Sequence, residues 1–256
     1  RGLGDVYKRQ GTETSVLAFL STIPKLAIFG ILCRLLVFPL SSSFELTFVV
    51  AIISLITALW ANTYAIRDNN VKVIFACSAS ANSSYVLLAA SLVSVYNLST
   101  VIFYLACYVI MNISVFAFLN IYGDKNSMNV QDFKGIFYRN HGLTGAYAIS
   151  ILALAGIPIT SGFIAKIYLF TAIANSGLIF VPFLLALLIL TVVALYYYLK
   201  ILLPMFAECD KNTSVPLLNA NFSQKFVLVV TVVVTMIIGV YPEKFIELCR
   251  FIAYNI

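Results

Sequence analysis

The chain has 256 residues, of which 62% are hydrophobic and 10% charged, with a mean hydropathy of +1.00. Soluble domains carry about 25% charged residues, so these values exclude a soluble globular domain and make lipid the solvent for most of the chain. The net charge of +6 does not indicate nucleic acid, because the basic residues are scattered over connecting segments and form no stripe with interleaved aromatics.

In chain order, residues 1–10 (RGLGDVYKRQ) lack both a starting Met and the apolar stretch of a signal peptide. They read as a leader or fragment edge, set apart from a helical membrane domain over 11–241 and a short interfacial tail over 242–256. A bilayer core about 30 Å thick needs about 20 apolar residues per helix. Hydrophobic runs at 15–38, 47–66, 73–95, 99–122, 143–175, 178–205 and 226–241 therefore predict an all-α membrane protein of about seven transmembrane helices. Turn-rich segments such as FPLSSS, RDNN, YNLS and GDKNSMNVQDF separate the first five.

Two of the spans are irregular. In the first, STIPK places Pro24, which lacks a backbone donor, and Lys25 about ten residues from the start of the span. The fifth run, at 143–175, would overshoot the hydrocarbon as one straight helix. AGIPITSG breaks it, with Gly156, Pro158 and Gly162 interrupting the periodicity and Lys166 following in the second half-helix. Broken backbone at membrane depth is tolerated only where protein or a water-filled cavity satisfies its polar groups.

Basic residues set the topology, since cytoplasmic loops are enriched in Lys and Arg. Arg67, Lys72, Lys125, Lys134, Arg139, Lys211 and Lys225 fall on one side, joined by Arg1, Lys8 and Arg9 of the leader; Lys244 and Arg250 fall on the other. The loops at 67–72, 123–142 and 206–225 should share the cytoplasmic face, and the mixed apolar and charged tail should lie at the opposite interface.

A charge at the bilayer centre costs at least about 2.5–3.5 kcal/mol. Lys25 and Lys166 are therefore expected to face the bundle interior, where lysine, whose protonation responds readily to burial, can exchange protons. The plainer reading is that they snorkel or satisfy carbonyls freed by the helix breaks. Every Asp and Glu falls in a loop, at a span end or in a tail, so no intramembrane counter-charge is offered. Lys72 opens the third span and reads as an interfacial anchor, with a proton-path role as the alternative. Arg34 also reads as interfacial. Lys200 follows Tyr196, Tyr197 and Tyr198, a combination expected in an interface belt, or it terminates a proton route. Asn62, Ser78, Ser80, Asn82, Ser83, Ser84 and Asn112 give spans two to four a polar face for helix–helix hydrogen bonds or water. The five cysteines, Cys33, Cys77, Cys107, Cys209 and Cys249, form no ligand cluster and read as packing residues, and the lone His141 reads as a surface residue.

Several segments together resemble the antiporter-like subunits of proton-pumping NADH:quinone oxidoreductase, respiratory complex I, and among them the subunit N family. GTETSVLAFLSTIPKLAIF is similar to the helix carrying a buried lysine, here Lys25. NNVKVIFACSASANSSY resembles the family's NIKRLLAYSS stretch, with Lys72 at its lysine. AGIPITSGFIAKIYLF resembles the discontinuous helix, with Lys166 as its lysine, and ALYYYLKIL the end of the next helix, with Lys200. The likeness covers nearly all of residues 11–241 and corresponds to the second of two inverted repeats. The chain departs from the pattern at Asn82, where many relatives carry histidine, and at Cys77, where they carry tyrosine. The resemblance implies proton translocation through a relay of Lys25 and Lys166, with Lys72 and Lys200 as less central members. Quinone and NADH would be used by other subunits and no redox cofactor or metal would be held here. The implied setting is a bacterial plasma membrane or a mitochondrial inner membrane, with other membrane subunits of the complex and lipid as partners and no nucleic acid. The alternatives are a cation/proton antiporter subunit and a structural scaffold.

Overall fold

In lipid, each apolar run must close its backbone hydrogen bonds within itself. The computed structural model, which describes residues 14–37, 44–92, 95–123, 128–208 and 217–254, is accordingly helical, with no strand among the described residues. The helices are α1 (Thr14–Val37), α2 (Phe44–Arg67), α3 (Val71–Ser91), α4 (Val95–Tyr122), α5 (His141–Ala155), α6 (Ser161–Asn175), α7 (Val181–Phe206), α8 (Phe222–Val240) and α9 (Glu243–Tyr254). Short 3-10 turns at Val130–Phe133, Ile136–Tyr138 and Leu178–Phe180 lie between α4 and α5 and before α7.

Five helices, α2, α3, α4, α7 and α8, contain stretches long and apolar enough to cross a membrane. The other two of the seven expected spans are α1, with a shorter apolar stretch at Ala18–Leu32, and the broken pair α5–α6. The chain is thus a multi-pass membrane protein. α3 and α4 form its interior, with most of their side chains buried, whereas α2, α7 and α8 turn apolar faces outward, as shown by Ile56, Val192 and Val229.

The two irregular spans differ. α1 runs unbroken through Pro24, so the proline costs a hydrogen bond there without ending the helix. The 143–175 run does break. α5 ends at Gly156 in the left-handed conformation, φ +85°, with its N–H donated to Leu152 O and Ala153 O. The chain turns through Ile157–Thr160, and α6 begins at Ser161. Gly162 is not a breaker: it lies inside the first turn of α6, where a Cβ would overlap Ala153 O, so its small size lets the two half-helices pass.

The three basic loops meet at one end of the bundle. Val71 N donates to Met128 O, Val130 N to Asn69 O, Gly135 N to Pro204 O, and Leu218 N to Asn140 Oδ1. This is the grouping predicted from the charges of segments 67–72, 123–142 and 206–225. At the other end, Asn97 donates to Leu92 O and Ser176 Oγ. There α9 packs Ile246, Cys249 and Ala253 inward, with Phe245 edge-on to Phe103 of α4, and leaves Glu247, Arg250 and Tyr254 exposed. Lys125, Lys211, Cys209, the leader with Arg1, Lys8 and Arg9, and the side chains of Cys33 and Arg34 lie outside the described residues.

Candidate functional site

A helix that ends inside lipid exposes carbonyls that nothing in the helix can satisfy. Lys166 answers this need at the α5–α6 break. From the second turn of α6 its Nζ donates to Leu154 O at 3.0 Å and Ala155 O at 2.8 Å. These are the last carbonyls of α5, where the helix dipole also favours a cation. Lys166 is buried, at 7% exposure. A Cβ on Gly156 would stand 3.0 Å from Lys166 Cδ and 3.1 Å from its Nζ, so the same glycine both makes the left-handed turn and leaves room for the ammonium. Ile159, a β-branched residue at φ +77°, adds strain to this turn.

Lys25 is held differently. Half-buried on α1, it donates to Ala79 O of α3 at 2.6 Å and to the Tyr108 hydroxyl of α4 at 3.4 Å, with the ring centroid of Tyr108 5.3 Å away. The carbonyl comes from mid-helix, not from a break, and it also accepts from Ser83 Oγ. A cavity of about 290 Å³ lies beside it, lined by Ile28, Phe29, Thr57 and Ser84 among others.

Lys200 and Lys72 lie at the basic end. Lys200 Nζ donates to Ile66 O at 3.0 Å and Asp68 O at 2.7 Å, closing the C-terminus of α2 as Lys166 closes that of α5. Lys72 does not snorkel outward as an interfacial anchor would. It is 3% exposed, near the start of a helix that Asn70 caps through Lys72 N, because the 128–130 segment folds over this end. The structure therefore places the four lysines in three settings: the break, the interior turn of α3, and the basic end.

The tyrosines are what the sequence reading missed. Tyr197 and Tyr198 are not interface-belt residues; each is 1% exposed, and of the three only Tyr196, at 58%, faces outward. Successive helical residues turn by about 100°, so a run of three tyrosines could not all lie at one surface. Tyr198 OH shares a 2.7 Å hydrogen bond with Ser78 Oγ, and Tyr104 OH donates to Asn82 Oδ1 at 2.8 Å. Nearby on α3 and α2, the buried Tyr85 OH and Asn62 Oδ1 have no well-formed hydrogen bond among the described residues. The remaining polar residues of spans two to four mostly bond back to their own helices: Ser80 to Ala76 O, Asn62 to Ala58 O, Asn112 to Tyr108 O. Periodicity alone could have put Ser78 and Asn82 on one face, but their partners come from distant helices. Gly239 of α8 was also missed: a Cβ there would overlap Ile159 O, so its absence seats α8 against the break.

Cys77, Cys107 and Cys249 are buried and outside any disulfide, as packing residues should be. His141 is exposed at the first position of α5, edge-on to Phe137. Among the described residues, no three His, Cys, Asp or Glu side chains gather as metal ligands do.

A helical membrane bundle with one interrupted span and lysines turned onto its interior carbonyls is the architecture of an antiporter-like membrane subunit. A chain of respiratory complex I from Thermus thermophilus superposes with a TM-score of 0.80 over 93% of this chain and 52% of that one, at 25% identity. A chain of the Mrp complex from Dietzia sp. DQ12-45-1b gives 0.79 over 93% and 52%, at 21% identity, a likeness of fold. The transmembrane family of NADH:quinone oxidoreductase and Mrp antiporters matches residues 3–194, and the chain belongs to that family. NADH-quinone oxidoreductase subunit N of Heliobacterium modesticaldum is 31% identical over 255 residues, covering 98% of this chain and 53% of that protein. Subunit N of Desulforamulus reducens is likewise 31% identical over 255 residues, covering 98% and 52%. The chain spans about half the length of the curated relatives it matches, and these bacterial likenesses mark it as a multi-pass bacterial membrane protein.

Proposed function

We propose that this chain is the second half of a proton-translocating subunit N of NADH:quinone oxidoreductase, passing protons through Lys25 and Lys166. Lys72 and Lys200 join that path to the basic, cytoplasmic face. NADH and quinone react in partner subunits, and this chain supplies no redox centre. The observation that carries the reading is Lys166: an ammonium buried at a helix break, its charge met by two carbonyls. A lysine so placed keeps acceptors whether or not it carries the extra proton, so it can lose and regain one without leaving a buried carboxylate unpaired. Among the described residues every acidic side chain sits at a span end, in a loop or on the terminal helix α9. An intramembrane carboxylate site would favour the antiporter reading.

The test is NADH-driven acidification and quinone reduction, measured together in membranes carrying the full-length gene, for wild type and Lys166→Ala. The proposal expects pumping to fall by more than about tenfold, since a positioned acid–base group contributes about 10²–10⁴-fold, while the complex still assembles. Unchanged pumping would leave the lysine as a scaffold element, and pumping that requires sodium or potassium would favour the antiporter reading.

A further inference from the structure

Three helices direct polar groups onto a single turn of α3. Tyr198 of α7 meets Ser78 Oγ at 2.7 Å, Lys25 of α1 meets Ala79 O at 2.6 Å, and Tyr104 of α4 meets Asn82 Oδ1 at 2.8 Å. Apart from the half-buried Lys25, all these side chains are buried. A small cavity bordered by Lys25, Asn82, Ser83, Tyr104 and Tyr108 adjoins the same turn. The two tyrosine pairs are chemically unequal. The amide oxygen of Asn82 only accepts, so the Tyr104 bond has one direction and serves to fix the turn. Ser78 and Tyr198 are both hydroxyls, each able to donate or accept, so their bond can reverse. The position of this pair gives the reversal a use. Lys25 bonds the carbonyl of Ala79, the residue next to Ser78, while Tyr198 lies on α7, the helix whose Lys200 reaches the basic end.

We infer that the Ser78–Tyr198 hydroxyl pair is a proton-relay step between Lys25 and the basic end of the bundle, with Tyr104 and Asn82 as positioning residues for the α3 turn. This inference rests on the proton-translocation reading above. In the step, a proton arriving at Ser78 Oγ forms a new O–H bond as the hydrogen already there passes to Tyr198 Oη, which releases its own hydrogen toward the basic end. Each oxygen finishes with one hydrogen, rotation of the two hydroxyls resets the pair, and no electrons change hands. Travel in the opposite direction uses the same bonds in reverse.

The experiment measures protons pumped per NADH oxidised, with native-gel assembly as control, in membranes carrying the full-length subunit. Tyr198→Phe and Ser78→Ala each remove one hydroxyl and little else, Ser78→Thr keeps it, and Lys166→Ala reports on the proton path as a whole. Expected results are a fall of about tenfold or more in both hydroxyl-deleted variants, a double variant no worse than the poorer single, and pumping near wild type in Ser78→Thr. Should Tyr198→Phe fail to assemble, Ser78→Ala and Ser78→Thr decide alone. Normal pumping in Ser78→Ala while Lys166→Ala is impaired would overturn the hydroxyl step and leave the proton-translocation reading standing. Normal pumping in both would overturn the two together.

Discussion

Lys25 and Lys166 are lysines in proline-marked spans, yet the bundle holds them by opposite means. Lys166 is held by local backbone: α5 stops, its last carbonyls need donors, and the next half-helix delivers an ammonium to them. Lys25 is held by tertiary packing, its helix continuous through Pro24 and its contacts drawn from α3 and α4. A proline is therefore not what makes a discontinuous span. The break at 156–160 needs a residue at home in the left-handed conformation at Gly156, a neighbour held there against its preference at Ile159, and a helix, α8, shaped to seat it. None of these accompanies Pro24.

The largest effect should come from closing the seat. Gly239→Val puts side-chain atoms where Ile159 O and Thr160 stand, and overpacking against backbone costs about 3 kcal/mol or more. The amount of assembled complex on a native gel should drop sharply for Gly239→Val and hardly at all for Gly30→Val, since Gly30 on α1 has nothing within 4 Å of its Cβ position.

Next comes the contrast between the lysines themselves. Lys166→Met strips the donated bonds from two buried carbonyls and should cost about 2–3 kcal/mol. Lys25→Met should cost about 1 kcal/mol, because Ala79 O retains Ser83 Oγ. Hydrogen exchange should accelerate over residues 150–160 in the first variant and change little along α3 in the second. Equal effects would show that the two lysines are held alike.

How far the sequence anticipated this arrangement depends on whether the cause is local. The spans were legible because lipid imposes length and apolarity on each helix separately, and the break because Gly156, Pro158 and an overlong run lie within a few residues of one another. Lys166 was legible for the same reason. Grouping of the basic loops was readable from charge. What was not readable depends on helices far apart in sequence: the burial of Lys72 under the 128–130 segment, the inward turn of Tyr197 and Tyr198, and the fit of Gly239 to a carbonyl 80 residues earlier. Pro24 marks an irregular span without breaking it, because proline in a membrane helix can be absorbed by neighbouring helices.

Smaller effects test the edges of the comparison. Lys200→Met removes the donor that closes α2 at Ile66 O and Asp68 O. The cost should be about 1 kcal/mol, seen as faster exchange at residues 64–68 without change around the break. Ile159→Gly relieves left-handed strain of about 1–2 kcal/mol against about 0.5–1 kcal/mol of added unfolded-state freedom. It should raise the thermal midpoint slightly, and a lowered midpoint would show that the isoleucine side chain, not its backbone, holds the turn.

The most direct test of the central claim is the proton-to-electron ratio of the purified complex in proteoliposomes, compared among Lys25→Met, Lys166→Met and the double variant. Two lysines held differently but serving one path should give a double variant no worse than the poorer single. Losses that multiply, or a ratio unchanged in all three, would contradict it.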